Sequence, residues 1–305
     1  MDQSNSDWEL KKTVSKMAWT YFTTMAITLL IQVVLKFVCM KFFPSFYRGN
    51  SFIWLASVIP LYCFGFPTAW LMFKKIPDHN EPTEMSFMPV KKFVKLFLIG
   101  YAFLYLGNII SLALSSLITL LTGKEILNPV NSAIQNSNIV ITFISTIIIA
   151  PLGEEFFFRY LPYKKLSRFG DKIYILTTAL FFGLFHMNIF QILYAFLLGT
   201  ILAYMYANTH NMVYNISLHM IINFIGGVLG LIIGDNETAL TIFGMVILLF
   251  VVSGFILYIK NRKNTVFNVS EYTLIKPFKN ILLNTGMLSF ILLFVVDFIM
   301  SIILS

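Results

Sequence analysis

Charged side chains are scarce in this chain. Asp, Glu, Lys and Arg make up 12% of its 305 residues, while 58% are hydrophobic, against about 25% charged in an ordinary globular chain. So little polar surface excludes a water-soluble globule. It fits a bundle of helices in lipid, where polar groups are needed only at caps and inside sites. Cysteine is almost missing too. Cys39 and Cys63 lie in apolar runs without CxxC spacing, which excludes a disulfide framework and a cysteine metal site and leaves two small core residues. There is no low-complexity segment and no internal repeat. The opening MDQSNSDWEL is acidic and polar, and the apolar stretch after it has no small-residue cleavage site, so that stretch is expected to be retained.

What the chain has in abundance is long apolar runs. A membrane span takes about 20 residues, and runs of that kind fall near 17–40, 52–73, 93–121, 139–160, 173–187, 189–207, 212–233, 239–259 and 281–304. The expected fold is therefore an all-α polytopic membrane protein of about nine transmembrane helices, with eight as the alternative. The fifth and sixth runs are parted only by Met187 and Asn188, which fits a tight hairpin turning within the membrane. A cytoplasmic N-terminus puts Lys11, Lys12, Lys16, Lys74, Lys75, Lys91, Lys92, Lys95, Arg159, Lys164, Lys165, Arg168, Lys172, Lys260, Arg262, Lys263, Lys276 and Lys279 inside. Only Lys41, Arg48 and Lys124 remain outside. That asymmetry sets the orientation. It also accounts for the net charge of +8 through anionic lipid headgroups, with no nucleic-acid partner. Residues 74–88, with Pro77, Pro82 and mixed charges, read as a linker, and 260–280 as a second polar break with room for a short surface helix. The expected organisation is 1–88 for the N-terminal spans and linker, 89–260 for a helical core, and 261–305 for a loop and final span.

Ionisable groups inside spans cost on the order of 3 kcal/mol each, so each needs a partner or a purpose. Here they cluster. In APLGEEFFFRY, Glu155 and Arg159 are four apart on one helix face, while Glu154 points about 100° away. One glutamate can be held by the arginine and the other left to act as a base. Pro151 and Gly153 just upstream can open the helix to water. Taken alone, the run reads equally well as a structural salt bridge beside a snorkelling glutamate. In FFGLFHMN, Phe182 and His186 are four apart, as are His219 and Asn223 in SLHMIINF. A lone histidine in a span is ordinarily a packing residue. Two on separate spans, with an amide and a glutamate pair, can bind water and stabilise an oxyanion, and they are expected to share one polar cavity. Lys36 and Asp297 are the other charges within spans. They fall at similar depth in the first and last spans, where they either pair or, the favoured reading, snorkel separately.

Glu154-Glu155-Phe156-Phe157-Phe158-Arg159, then Phe182 to His186, then His219 to Asn223, in that order on successive helices, resembles the CAAX-protease and bacteriocin-processing (CPBP, or Abi) family, which includes the Ras-converting CAAX endopeptidase. The motifs span 139–233, under a third of the chain. The resemblance implies an intramembrane endopeptidase in which Glu154 and His186 activate a water and His219 and Asn223 stabilise the oxyanion. Glu155 and Arg159 would be the structural pair. It leaves the cofactor open: glutamate chemistry without a metal is expected, and zinc held by Glu154, His186 and His219 is the alternative. The chain has no HExxH, which excludes a zincin-type site, and neither a GxSG nor a complete GxGD, Gly234-Asp235 being a stray half.

The expected partners are membrane lipids and a peptide or protein substrate delivered through the membrane. Abundant Ile, Phe, Lys and Asn suggest a bacterial plasma membrane, hence maturation of a pheromone, bacteriocin or leader peptide rather than of prenylated proteins. A non-proteolytic immunity or regulatory partner of the same fold is the main alternative, and intact motifs argue against it. A transporter comes third, because paired broken helices in corresponding halves are missing.

Overall fold

The computed structural model of the protein describes residues 3–49, 51–78, 84–126, 128, 138–265, 267–268 and 275–304. Among these there is no strand. The long helices are α1 (Gln3–Phe42), α2 (Phe52–Phe73), α3 (Val90–Thr122), α4 (Ile139–Phe169), α5 (Asp171–Phe185), α6 (Ile189–Thr209), α7 (Met212–Ile233), α8 (Glu237–Asn261) and α9 (Thr285–Leu304). Eight of them are long and apolar enough to cross a membrane. The ninth, α5, has 15 residues and rises only about 22 Å. It is the expected fifth run, present as a short leg. The expected surface helix in the second polar break is Pro277–Leu282. Pro82 and its neighbours in the linker lie outside the described residues.

Sequence chemistry starts several of these helices. The side-chain oxygens of Asn138, Asn188, Asn211 and Asn236 accept hydrogen bonds from Val140, Phe190, Val213 and Ala239 backbone N–H groups at the starts of α4, α6, α7 and α8, satisfying donors that helix geometry leaves open. The α5–α6 turn needs two special features. Met187 takes a left-handed φ of 49°, and Gly183 lets the hairpin close, since a Cβ there would come within 2.7 Å of the Ile192 carbonyl oxygen. Gly107 similarly seats α3 on α6, its Cβ position lying 2.5 Å from Tyr194 Cα.

The basic segments meet on one face. Arg168 pairs with Glu9 at 3.5 Å, Lys165 donates to the Ile76 carbonyl at 2.5 Å and pairs with Asp78, Lys95 donates to Asn261 at 3.4 Å, and Asn280 donates to Asp7 at 2.8 Å. At the other end Lys124 Nζ caps the last turn of α9 through the Ile302 and Ile303 carbonyls, 3.1 and 3.0 Å away. Among the described residues, eight helices are long enough to run between these two ends, and α5 is a shorter leg. Among the described residues no ion pair joins Lys36 to Asp297, and Lys36 is exposed.

Two apolar clusters fill the bundle. One gathers around Tyr21 and takes residues from α1, α2, α4, α5, α6 and α9, and the other takes residues from α3, α6, α7 and α8. Helix α6 belongs to both. The polar residues singled out in the sequence lie where α4, α5 and α7 meet.

Candidate active site

Helix α4 is not a regular α-helix. Pro151 and Pro162 lack the N–H that an i−4 carbonyl would accept, and each ring crowds that carbonyl. Around them the helix widens to π-turns at Ile144–Ile149 and Phe156–Tyr160, with a six-residue α-segment, Ala150–Glu155, between. Such bulges free backbone carbonyls, which in lipid must be met by neighbours. Four helices supply the donors. Asn223 Nδ2 of α7 donates to Thr146 O at 2.9 Å, Tyr62 OH of α2 to Ile149 O at 2.9 Å, Tyr21 OH of α1 to Phe157 O at 2.7 Å, and Tyr174 OH of α5 to Arg159 O at 3.3 Å. Glu154 and Glu155 end the clamped segment, so their backbone is set from four sides. The helix is widened here, where the sequence suggested an opening to water.

Glu155 is wholly buried and has three polar neighbours. Arg159 Nε stands 3.3 Å from Oε2, Asn215 Nδ2 donates to the same oxygen at 3.1 Å, and His219 Nδ1 lies 2.8 Å from Oε1. Arg159 makes a charge contact there without an aligned hydrogen bond. Its guanidinium lies over the Phe182 ring, 4.4 Å from the centroid, a cation–π placement that suits a desolvated arginine. The Glu155–Arg159 pair is thus present with the expected i, i+4 spacing, and buried on both sides. Asn215 was not singled out in the sequence. It is fully buried and also donates to the Leu202 carbonyl at 2.8 Å. The signal that could have found it is the four-residue spacing Asn215, His219, Asn223, one stripe along α7.

His219 faces both glutamates. With Nδ1 on Glu155, its Nε2 is 3.7 Å from Oε2 of Glu154, which retains some exposure. His186 ends α5, where its Nδ1 lies 2.7 Å from the Phe182 carbonyl oxygen. A carbonyl only accepts, so Nδ1 carries the proton and Nε2 keeps a lone pair. The Phe182 ring touches both histidines edge-on, at 4.8 Å from His186 and 5.9 Å from His219. The structure therefore brings Arg159, His186 and His219 around Phe182, with Glu155 against Arg159 and His219 and Glu154 beside His219. Asn223 sits one turn further along α7, engaged with Thr146.

Among the described residues, no three His, Cys, Asp or Glu side chains converge closely enough to hold an ion. Glu154, His186 and His219 do not converge as the ligands of one ion in this arrangement.

The polar cluster is thus a glutamate–histidine constellation on a kinked helix of a polytopic membrane protein. Residues 136–225 match the family model described as Type II CAAX prenyl endopeptidase Rce1-like. The match over the motif-bearing core supports the CPBP/CAAX-protease family, whose activity class is that of an intramembrane endopeptidase. Comparison with curated proteins and with solved structures gave no match.

Proposed function

We propose that this protein hydrolyses a peptide bond in a membrane-associated peptide or protein, using a water activated by Glu154 and positioned by the Nε2 lone pair of His186. The observation that carries the reading is His219, whose two ring nitrogens face Glu155 at 2.8 Å and Glu154 at 3.7 Å. Glu154 takes a proton as the water oxygen attacks the carbonyl carbon. That proton can pass to His219 Nε2, and the imidazolium, held at Nδ1 by Glu155, then stands beside the tetrahedral oxyanion. Asn223 adds a donor if its amide leaves Thr146. Return of the proton to the departing nitrogen completes cleavage of the C–N bond. Glu155 thereby plays the part of the orienting acid in a triad, with Arg159 and Asn215 keeping it ionised and fixed. The chemistry is glutamate-type, without a metal. The proposed setting is a bacterial plasma membrane, and the proposed substrates are pheromone, bacteriocin or leader peptides.

The test is a comparison of peptides released from membranes holding the wild type or Glu154→Gln. Fragments that vanish with Glu154→Gln support the reading. Identical peptide profiles from equally inserted proteins would overturn it in favour of a partner acting by contact.

A further inference from the structure

Behind the glutamate helix lies an apolar groove of about 640 Å³ between α2 and α4, lined by Tyr62, Phe66, Trp70, Leu152, Gly153 and Phe156 among others. At Gly153 the two helices approach closely, because that residue has no side chain. A Cβ there would come within 2.6 Å of the Tyr62 ring and 2.7 Å of the Phe66 ring. At about 100° per residue, Glu154 and Glu155 each point more than a quarter turn from the groove's centre line. Whatever occupies the groove is therefore at the back of the glutamate helix, away from His219.

One end of the groove is cationic on both walls. On α2, Lys74 Nζ lies over the Trp70 ring at 3.3 Å. On α4, Lys164 Nζ lies over the Tyr160 ring at 4.4 Å, and Tyr160 stacks on Phe156 of the groove wall with centroids 5.4 Å apart. The walls are tied together beside these lysines, because Lys165 reaches across to the Ile76 carbonyl at 2.5 Å. Asp78, the acidic side chain of that turn, is paired with Lys165 and does not neutralise the other two. An apolar trough ending in aromatic rings and two lysines, on the face that the lysine asymmetry assigns to the cytoplasm, matches a lipid with a negative head. We propose that this groove binds an anionic phospholipid, its acyl chain against Leu152, Phe156 and Phe66 and its phosphate at Lys74 and Lys164. The lipid would brace the helix that carries both glutamates. The inference is independent of the proteolytic reading.

The experiment uses the full-length protein in mild detergent with an equimolar mixture of phosphatidylglycerol and phosphatidylcholine, followed by native mass spectrometry. Phosphatidylglycerol should be retained preferentially, and Lys74→Gln with Lys164→Gln should lower that retention about fivefold per lysine, as expected for a lysine at an anionic surface. The control is the pair Lys11→Gln and Lys12→Gln, which removes the same charge at α1 and includes a comparable lysine over Trp8 at 4.2 Å. It should leave retention unchanged. Leu152→Trp should displace the lipid by filling the trough. Equal retention of the two lipids would mean that only an apolar filler binds. An equal loss in the α1 control would mean that diffuse charge attracts the lipid. Either result overturns the proposal.

Discussion

Nδ1 of His219 lies 2.8 Å from Oε1 of Glu155, so the second glutamate of the pair holds the histidine that faces the first. This contact separates the two glutamates by consequence. Glu154→Gln should lower cleavage by 10²–10⁴-fold, roughly the contribution of a general base, with melting of the purified protein little changed. Glu155→Gln should cost about 3–5 kcal/mol, because it strands the buried charge of Arg159. Activity and thermal unfolding measured on both variants check this; similar melting losses for the two would contradict the assignment.

Asn215 should behave as a positioning residue. Asn215→Leu removes the donor to Glu155 Oε2 and the second donor to the Leu202 carbonyl, a loss of about 1–3 kcal/mol. The turnover rate should fall more than apparent substrate affinity, since the orientation of His219 changes and the outer surface does not. A pure affinity effect would refute the positioning role.

Gly153 and Tyr62 should be coupled. Gly153→Ala drives a methyl into the Tyr62 ring and should cost about 1–3 kcal/mol, as overpacking does. Tyr62→Ala alone loses the bond to Ile149 O together with ring packing. In the double variant the Tyr62 half of the clash is gone and the Phe66 contact is left, so the combined loss should be smaller than the two single losses added. Strict additivity in a melting cycle would show that the ring does not set the limit at Gly153.

Chelators should leave cleavage intact. Prolonged treatment with a strong zinc chelator, followed by dilution into a peptide-cleavage assay, should preserve activity. Loss of cleavage that added zinc restores would favour the Glu154, His186, His219 ligand set over this geometry.

Asp171, at the start of α5 and outside the long spans, supplies a pH signature. Burial pushes its carboxyl above the usual carboxylate range, partly offset by the Asn268 backbone N–H it accepts at 2.8 Å. The folded state then holds the proton more tightly than the unfolded chain. Stability contributed at this site is full below the ordinary aspartate pKa and declines as pH rises through the raised folded value. Asp171→Asn, which still accepts from Asn268, should flatten that decline in melting curves taken across the acidic range.

Much of this was legible from residue order. Composition made the chain a membrane helix bundle because backbone groups in lipid have no partner outside a helix. The i, i+4 spacing of Glu155 and Arg159 made their pairing local, since one turn of helix already sets them side by side. The short hairpin at Met187 and Asn188 was visible for the same reason. The site was legible only as a set of residue types. Nothing in the apolar run around Tyr21 or Tyr62 marks those hydroxyls as caps for carbonyls of α4, because each lies far away in sequence and its target carbonyl is exposed only by the proline-widened turns.

Which partner His219 would take depended on the rotation of α7 against α4. Chain order alone left it as an oxyanion donor beside Asn223. The packed helices turn its Nδ1 onto Glu155, move Asn223 one turn along to Thr146 and add Asn215 on the same stripe. Local helix periodicity determines which residues share a face. Only the packing of one helix against another, governed by small residues such as Gly107, Gly153 and Gly183 and by the shapes around them, decides which faces meet.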